Sequence, residues 1–301
     1  MKKKTYLFAL MAMALTLGSC SDNENGIGGE TSKYITVSTS IGNMTRVATD
    51  ANSGQTFEEG DEISVYAWTG DATVAPETRE RVVNNAINKL TNGSWVATPQ
   101  MLWKNNREKH YFIGVYPTAA ISDLSAGEYT FDETKQVESD LLVAVNKDGL
   151  SYNVDEQQPV PLTFTHVMAK LVVNLTYKNQ WGTEGPTVDK VVVGNAAKKA
   201  TINYLTKVVT PSTTAKEDFS LPEITENTKY VSVIIPQEDV KQLTIVIGGK
   251  NFVYDNGTPF KLESGKITTV NLEVGRDEIK LGDVKITDWE DGSTFGGEAL
   301  N

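Results

Sequence analysis

Residues 34–41 read Tyr34-Ile35-Thr36-Val37-Ser38-Thr39-Ser40-Ile41, and Ile35, Val37, Thr39 and Ile41 alternate with polar neighbours. A period of two marks a strand with one dry and one wet face, because successive side chains leave the backbone on opposite sides. Downstream, the same period returns in Ile63, Val65 and Ala67. Short runs rich in β-branched and aromatic residues predict further strands at 111–116, 140–145, 170–176, 190–193, 229–235, 243–247 and 268–274. Asn92-Gly93, Asp148-Gly149, Gly248-Gly249 and Asn256-Gly257 each sit between apolar runs, and residues that accept positive φ are what tight hairpins demand. A short helix is expected only at 78–90, against the tendency of Asn84 and Asn85. Many short antiparallel strands at this spacing imply an all-β chain of β-sandwiches.

The N-terminus carries Lys2, Lys3 and Lys4 ahead of an apolar run over 5–17, shorter than the ~20 residues a spanning helix needs. It has the form of a secretory signal and stands outside the fold. The run ends in Leu17-Gly18-Ser19-Cys20, which resembles a bacterial lipobox, and Cys20 is the only cysteine. Residues 1–19 are therefore expected to be removed and Cys20 acylated, anchoring the chain to a membrane through lipid. Residues 20–33, rich in Gly, Asn and acid, read as a flexible tether. With Cys20 lipidated no intrachain disulfide is available, so a hydrophobic core must hold the fold.

The formal charge of −11 becomes −14 once the three lysines are cleaved away. Such an acid excess argues against nucleic acid, whose phosphates need a basic face. From Cys20 the chain has 282 residues, a length that suggests about two domains. Gln157-Gln158-Pro159-Val160-Pro161 is the best internal boundary, because paired prolines remove ladder donors. It divides the chain into sandwiches over 34–157 and 158–301, with an uncertainty of about ten residues.

Catalytic motifs are missing. His110 and His166 are far apart and stand in no metal-ligand spacing; hydrogen bonding within strands accounts for both. There is no nucleophile elbow, and Gly265-Lys266 lacks the glycine that a phosphate loop places five residues earlier, where Phe260 stands. The acidic turn Glu58-Glu59-Gly60-Asp61-Glu62 does not have the spacing of a calcium loop. No enzyme activity, cofactor or metal is expected. Trp68, Trp95, Trp103, Trp181 and Trp289 admit two readings, core filling or sugar stacking on an exposed face.

Several segments together resemble a known family. Phe57-Glu58-Glu59-Gly60-Asp61-Glu62-Ile63-Ser64-Val65-Tyr66 is similar to the F-x-x-G-D-x-I-x-V-Y segment of fimbrillin-like proteins. Tyr111-Phe112-Ile113-Gly114-Val115-Tyr116-Pro117 resembles their aromatic Y-P strand, and Leu162-Thr163-Phe164-Thr165-His166-Val167-Met168-Ala169-Lys170-Leu171 their L-x-F-x-H-x-x-A-K-L segment. Residues 262–274 and Ile286-Thr287-Asp288-Trp289 look like their closing strands. The family comprises surface lipoproteins of anaerobic gut and oral bacteria whose members build type V pili.

The resemblance implies two transthyretin-like β-sandwiches in tandem and a place on the outer cell surface, with other pilin subunits as partners. It also implies assembly by strand exchange: an arginine-specific protease cuts after the first strand, and a strand of another subunit fills the groove. Ile35, Val37, Thr39 and Ile41 would be the plug. Arg46 is the only basic residue between Lys33 and Arg79, so the expected cut lies between Arg46 and Val47. A donor strand is sought near the C-terminus, in Ile279, Leu281, Val284 and Ile286, where the alternation slips by one between the two pairs. That slip requires a bulge or two separate strands. The other possibility is that these are the last strands of the second domain, with Trp289 as a buried plug. The alternative function is a stand-alone surface lipoprotein that binds a glycan.

Overall fold

The computed structural model describes residues 33–42, 56–153 and 158–289. Cys20, Arg46, Val47 and the tail after Trp289 lie outside the described residues. In chain order the first strands are β1 (Val37–Ile41), β2 (Glu62–Thr69), β3 (Arg81–Thr91), β4 (Ser94–Thr98), β5 (His110–Tyr116), β6 (Gly127–Thr130), β7 (Leu142–Leu150) and β8 (Val160–His166). There follow β9 (Ala169–Tyr177), β10 (Lys190–Ala197), β11 (Lys199–Asn203), β12 (Val208–Pro211), β13 (Lys216–Leu221) and β14 (Glu223–Thr225). The last are β15 (Lys229–Ile234), β16 (Gln237–Ile247), β17 (Lys250–Leu262), β18 (Lys266–Val274) and β19 (Ile279–Asp288). The chain is all-β, as the alternation predicts.

Apart from β6, the first half forms one sheet in the order β1-β8-β7-β5-β2-β3-β4. Its two ends come together: Tyr34 bridges Leu102, Ile35 N–H donates to Met101 O at 2.9 Å, and Trp103 N–H donates to Lys33 O at 3.0 Å. Curling a sheet until its edges meet hides backbone groups that would otherwise recruit foreign strands. Ile35, Val65, Phe112, Ala144, Leu162 and Phe164 fill the inside. Strand β2 is buried on both faces, for Tyr66 and Trp68 point the other way into a core shared with the second half. The run Ile63–Trp68, apolar except for Ser64, follows from that double burial.

In the second half β13-β10-β16-β17 and β14-β15-β9-β18-β19 stack on a common core that includes Val191, Val193, Leu243, Val231, Leu171 and Val270. A smaller sheet, β12-β11-β6, joins β6 of the first half to two strands of the second. Strand β8 pairs with β7 and β1, so the chain leaves the first sheet after His166.

The helix expected at 78–90 is not there. Only Thr78–Glu80 forms a single 3₁₀ turn, and β3 follows at once, pairing with β2 and β4. The strand pattern is obscured by a bulge. Val65 pairs with Ala86 and Ala67 with Val83, so Asn84 and Asn85 together oppose Tyr66 alone. Asn85 takes φ 55° and its Oδ1 accepts a bond from the Tyr66 hydroxyl at 3.2 Å; asparagine tolerates this left-handed conformation better than most residues.

A second bulge explains the slip in β19. Val270 pairs with Val284 and Leu272 with Leu281, leaving Gly282 and Asp283 opposite Asn271. Asn271 Nδ2 donates to Asp283 Oδ1 at 2.6 Å and fastens the irregularity.

Candidate functional site

The candidate site is the seam that β1 closes. Strand β1 runs parallel to β8, from Val37 beside Val160 to Ile41 beside Phe164. Val160 N–H donates to Thr36 O at 2.8 Å and Gly42 N–H to Phe164 O at 2.9 Å. On its other side, among the described residues, no strand pairs with Val37–Ile41. Ile35 and Val37 are buried in the first core, whereas Thr39 and Ile41 are half-buried. The four residues expected to plug a groove therefore share one inward face.

The far wall of the seam is aromatic. Trp95, from β4, donates its indole N–H to Thr39 Oγ1 at 3.0 Å. Phe57 lies edge-on to Trp95, Phe164 and Tyr116, with ring centroids 5.2, 5.1 and 5.4 Å away. Such T-shaped contacts orient rings as well as fill space. The acidic turn next to Phe57 is structural: Asp61 Oδ2 accepts the Glu58 N–H at 2.7 Å, and Glu59 Oε1 accepts the Asn92 N–H at 2.6 Å. It thereby caps the β3–β4 hairpin that carries Trp95.

The candidate donor residues occupy the edge of the five-stranded sheet. Ile279 and Leu281 are half-buried against the core, while Val284 and Ile286 are 39% and 38% exposed. Beyond them Trp289 is buried, its N–H donating to Gly265 O at 3.0 Å. Its indole stacks on His166, whose Nδ1 is 2.8 Å from Asp140 Oδ1. Lys170 Nζ lies 5.2 Å from the centre of the same indole. Burial pushes the Lys170 ammonium down to about 8, against the opposing pull of Asp140.

None of the five tryptophans is an open platform. Trp68 and Trp289 are buried and Trp95, Trp103 and Trp181 half-buried. The indole N–H of Trp68 is bonded to Asp71 O and that of Trp181 to Val274 O. His110 is likewise interior: Nε2 accepts the Lys104 N–H at 3.1 Å, and desolvation depresses its pKa. Among the described residues no group of three or more His, Cys, Asp or Glu side chains is placed to hold a metal.

Residues 45–289 match the family model described as fimbrillin-like. The chain belongs to the fimbrillin-like family. This fimbrillin-like chain is 26% identical to a Bacteroides uniformis protein named as a fimbrium subunit, Fim1C, over all of its own length and 99% of the relative's. Its fold is similar to that of two crystal structures described as cell adhesion proteins. One, from Bacteroides uniformis, has a TM-score of 0.64 at 20% identity and covers 86% of this chain and 100% of its own. The other, from Bacteroides ovatus, has a TM-score of 0.65 at 17% identity, with 85% and 98% covered. These likenesses show the fold.

Sequence reasoning identified the inward face of β1 but not its partners across the seam, Trp95 and Phe57. The signal was present for Trp95: Ser94-Trp95-Val96-Ala97-Thr98 alternates immediately after Asn92-Gly93, as the second arm of a hairpin should. Phe57 lies outside any alternating run and could be placed only in three dimensions.

Proposed function

We propose that this chain is a structural or adhesive subunit of a cell-surface fimbria, exported as a lipoprotein on Cys20 and assembled by strand exchange. The observation that carries the proposal is the placement of β1, bonded among the described residues as a strand to β8 alone over Val37–Ile41 and supplying apolar side chains to the first core. A cut between Arg46 and Val47 would separate β1 covalently from everything that follows. Loss of β1 would expose the β8 edge and the core it covered, a surface suited to an incoming strand. The matching donor is sought in β19, whose Ile279, Leu281, Val284 and Ile286 lie on a strand that among the described residues pairs with β18 alone. Outer-membrane anchoring would precede the cut and a place in the pilus would follow it, with other pilin subunits as partners.

The test is intact-mass analysis of the lipid-free chain before and after brief treatment with an arginine-specific protease. A single cut after Arg46, followed by ladders of multimers on ageing and abolished in Arg46→Ala, supports the proposal. A cut chain that stays monomeric and keeps its fold would redirect the reading to a stand-alone, glycan-binding surface lipoprotein. Against that alternative stands the burial of Trp68 and Trp289 and the partial burial of Trp95, Trp103 and Trp181.

A further inference from the structure

We infer that Trp95 selects and registers the strand that fills the seam, by requiring a hydrogen-bond acceptor at the position Thr39 now holds; the inference rests on the strand-exchange reading. Most of what β1 supplies is unselective. Its backbone bonds to β8 carry no sequence information, and the sites of Ile35 and Val37 accept any large aliphatic side chain of suitable volume. The polar exception on the inward face is the Thr39 hydroxyl, held by the Trp95 indole N–H at 3.0 Å.

An indole N–H can only donate. This one is fixed in direction, because Trp95 pairs with Leu90 in the β3–β4 ladder and Phe57 braces its ring. A strand with an aliphatic residue opposite it would strand the donor in a half-buried site. The same contact sets register. A slip of one residue turns the polar face of the strand inward. A slip of two keeps the apolar face inward, yet it brings the Val37 or Ile41 equivalent under the indole, and Trp95 then has no acceptor.

The fitting partner is therefore an extended strand of another copy or a related subunit. It carries aliphatic side chains at two alternate positions, then a hydroxyl, amide or carboxylate two residues later. Both halves of β19 meet this rule, as Ile279-x-Leu281-x-Asp283 and Val284-x-Ile286-x-Asp288.

The experiment uses the full chain nicked after Arg46 and fluorescent peptides with the sequence of residues 33–42, natural or carrying Thr39→Val. Retention of each peptide is measured on the natural chain and on Trp95→Phe. The expected result is about tenfold longer retention of the natural peptide, the size of one unmade hydrogen bond, with the preference lost on Trp95→Phe. Equal retention on the natural chain overturns the selector and leaves strand exchange standing. Entry of neither peptide overturns strand exchange and the selector with it. A cycle of Thr39→Val, Trp95→Phe and the double variant in the uncut chain guards against misfolding. Coupled changes in the urea midpoint support the contact, and additive ones overturn it.

Discussion

Trp289 lies flat against His166, with ring centroids 4.0 Å apart and planes 6° from parallel. The contact ties the end of β19 to the end of β8, two strands that belong to different sheets. Trp289→Ala removes a buried indole, and the expected loss is about 3–5 kcal/mol of stability. Hydrogen exchange should locate the damage in β19, which opens before β9 does. Equal acceleration in both strands would show that Trp289 supports the whole half and not its edge.

Lys170 shares that indole. Burial pushes its ammonium down to about 8, whereas an unfolded lysine titrates near ~10.4. Below the folded value both states hold the proton and the cost of burying it is present in full. Between the two values the unfolded chain binds more protons, so stability rises with pH. From pH 7 to 9.5 the expected gain is on the order of 1–2 kcal/mol relative to Lys170→Met, read as urea midpoints. Parallel pH profiles for the two proteins would show that Lys170 titrates normally.

Gly114 sits where β5 passes beneath the ring of Phe164. A Cβ added there would lie 2.6 Å from Phe164 Cζ and 3.1 Å from Leu162 Cδ1. Because Phe57 braces that ring, it has little room to withdraw. Gly114→Ala should cost about 1–3 kcal/mol by overpacking. A truncated neighbour, Phe164→Leu, should reduce the penalty, and a double-mutant comparison of denaturant midpoints checks it.

Asn85 tests the bulge in β3. With φ 55°, Asn85→Gly keeps the backbone at ease and loses only the bond to Tyr66, a change of about 1 kcal/mol or less. Asn85→Val forces a β-branched residue into a left-handed conformation and should cost about 1–3 kcal/mol. Equal thermal midpoints for the two variants would mean that the bulge relaxes.

What the sequence disclosed and withheld follows from the range of each interaction. The inward face of β1, the apolar β5 and the Asn92-Gly93 turn are written in neighbouring residues, so alternation and turn chemistry reveal them. The phase slip between Leu281 and Val284 left a bulge or two separate strands open, and the pairing of β19 with β18 makes it a bulge opposite Asn271. The same kind of defect obscured β3: Asn84 and Asn85 together oppose Tyr66, so the alternation breaks at the bulge. The seam itself was illegible. Thr39 meets Trp95 only because a seven-stranded sheet curls until its edges meet, and no local pattern encodes that closure.

The parallel pairing of β1 with β8 also orders events in time. Ser40 Oγ bonds Thr163 Oγ1 at 3.2 Å across 123 positions of the chain. A polypeptide delivered N-terminus first presents β1 before any residue of its partner strand has emerged, and such distant contacts form slowly. The earliest strand to appear is therefore among the last to be seated. Throughout that interval its aliphatic face is available to a chaperone, or to a neighbouring molecule at the same stage.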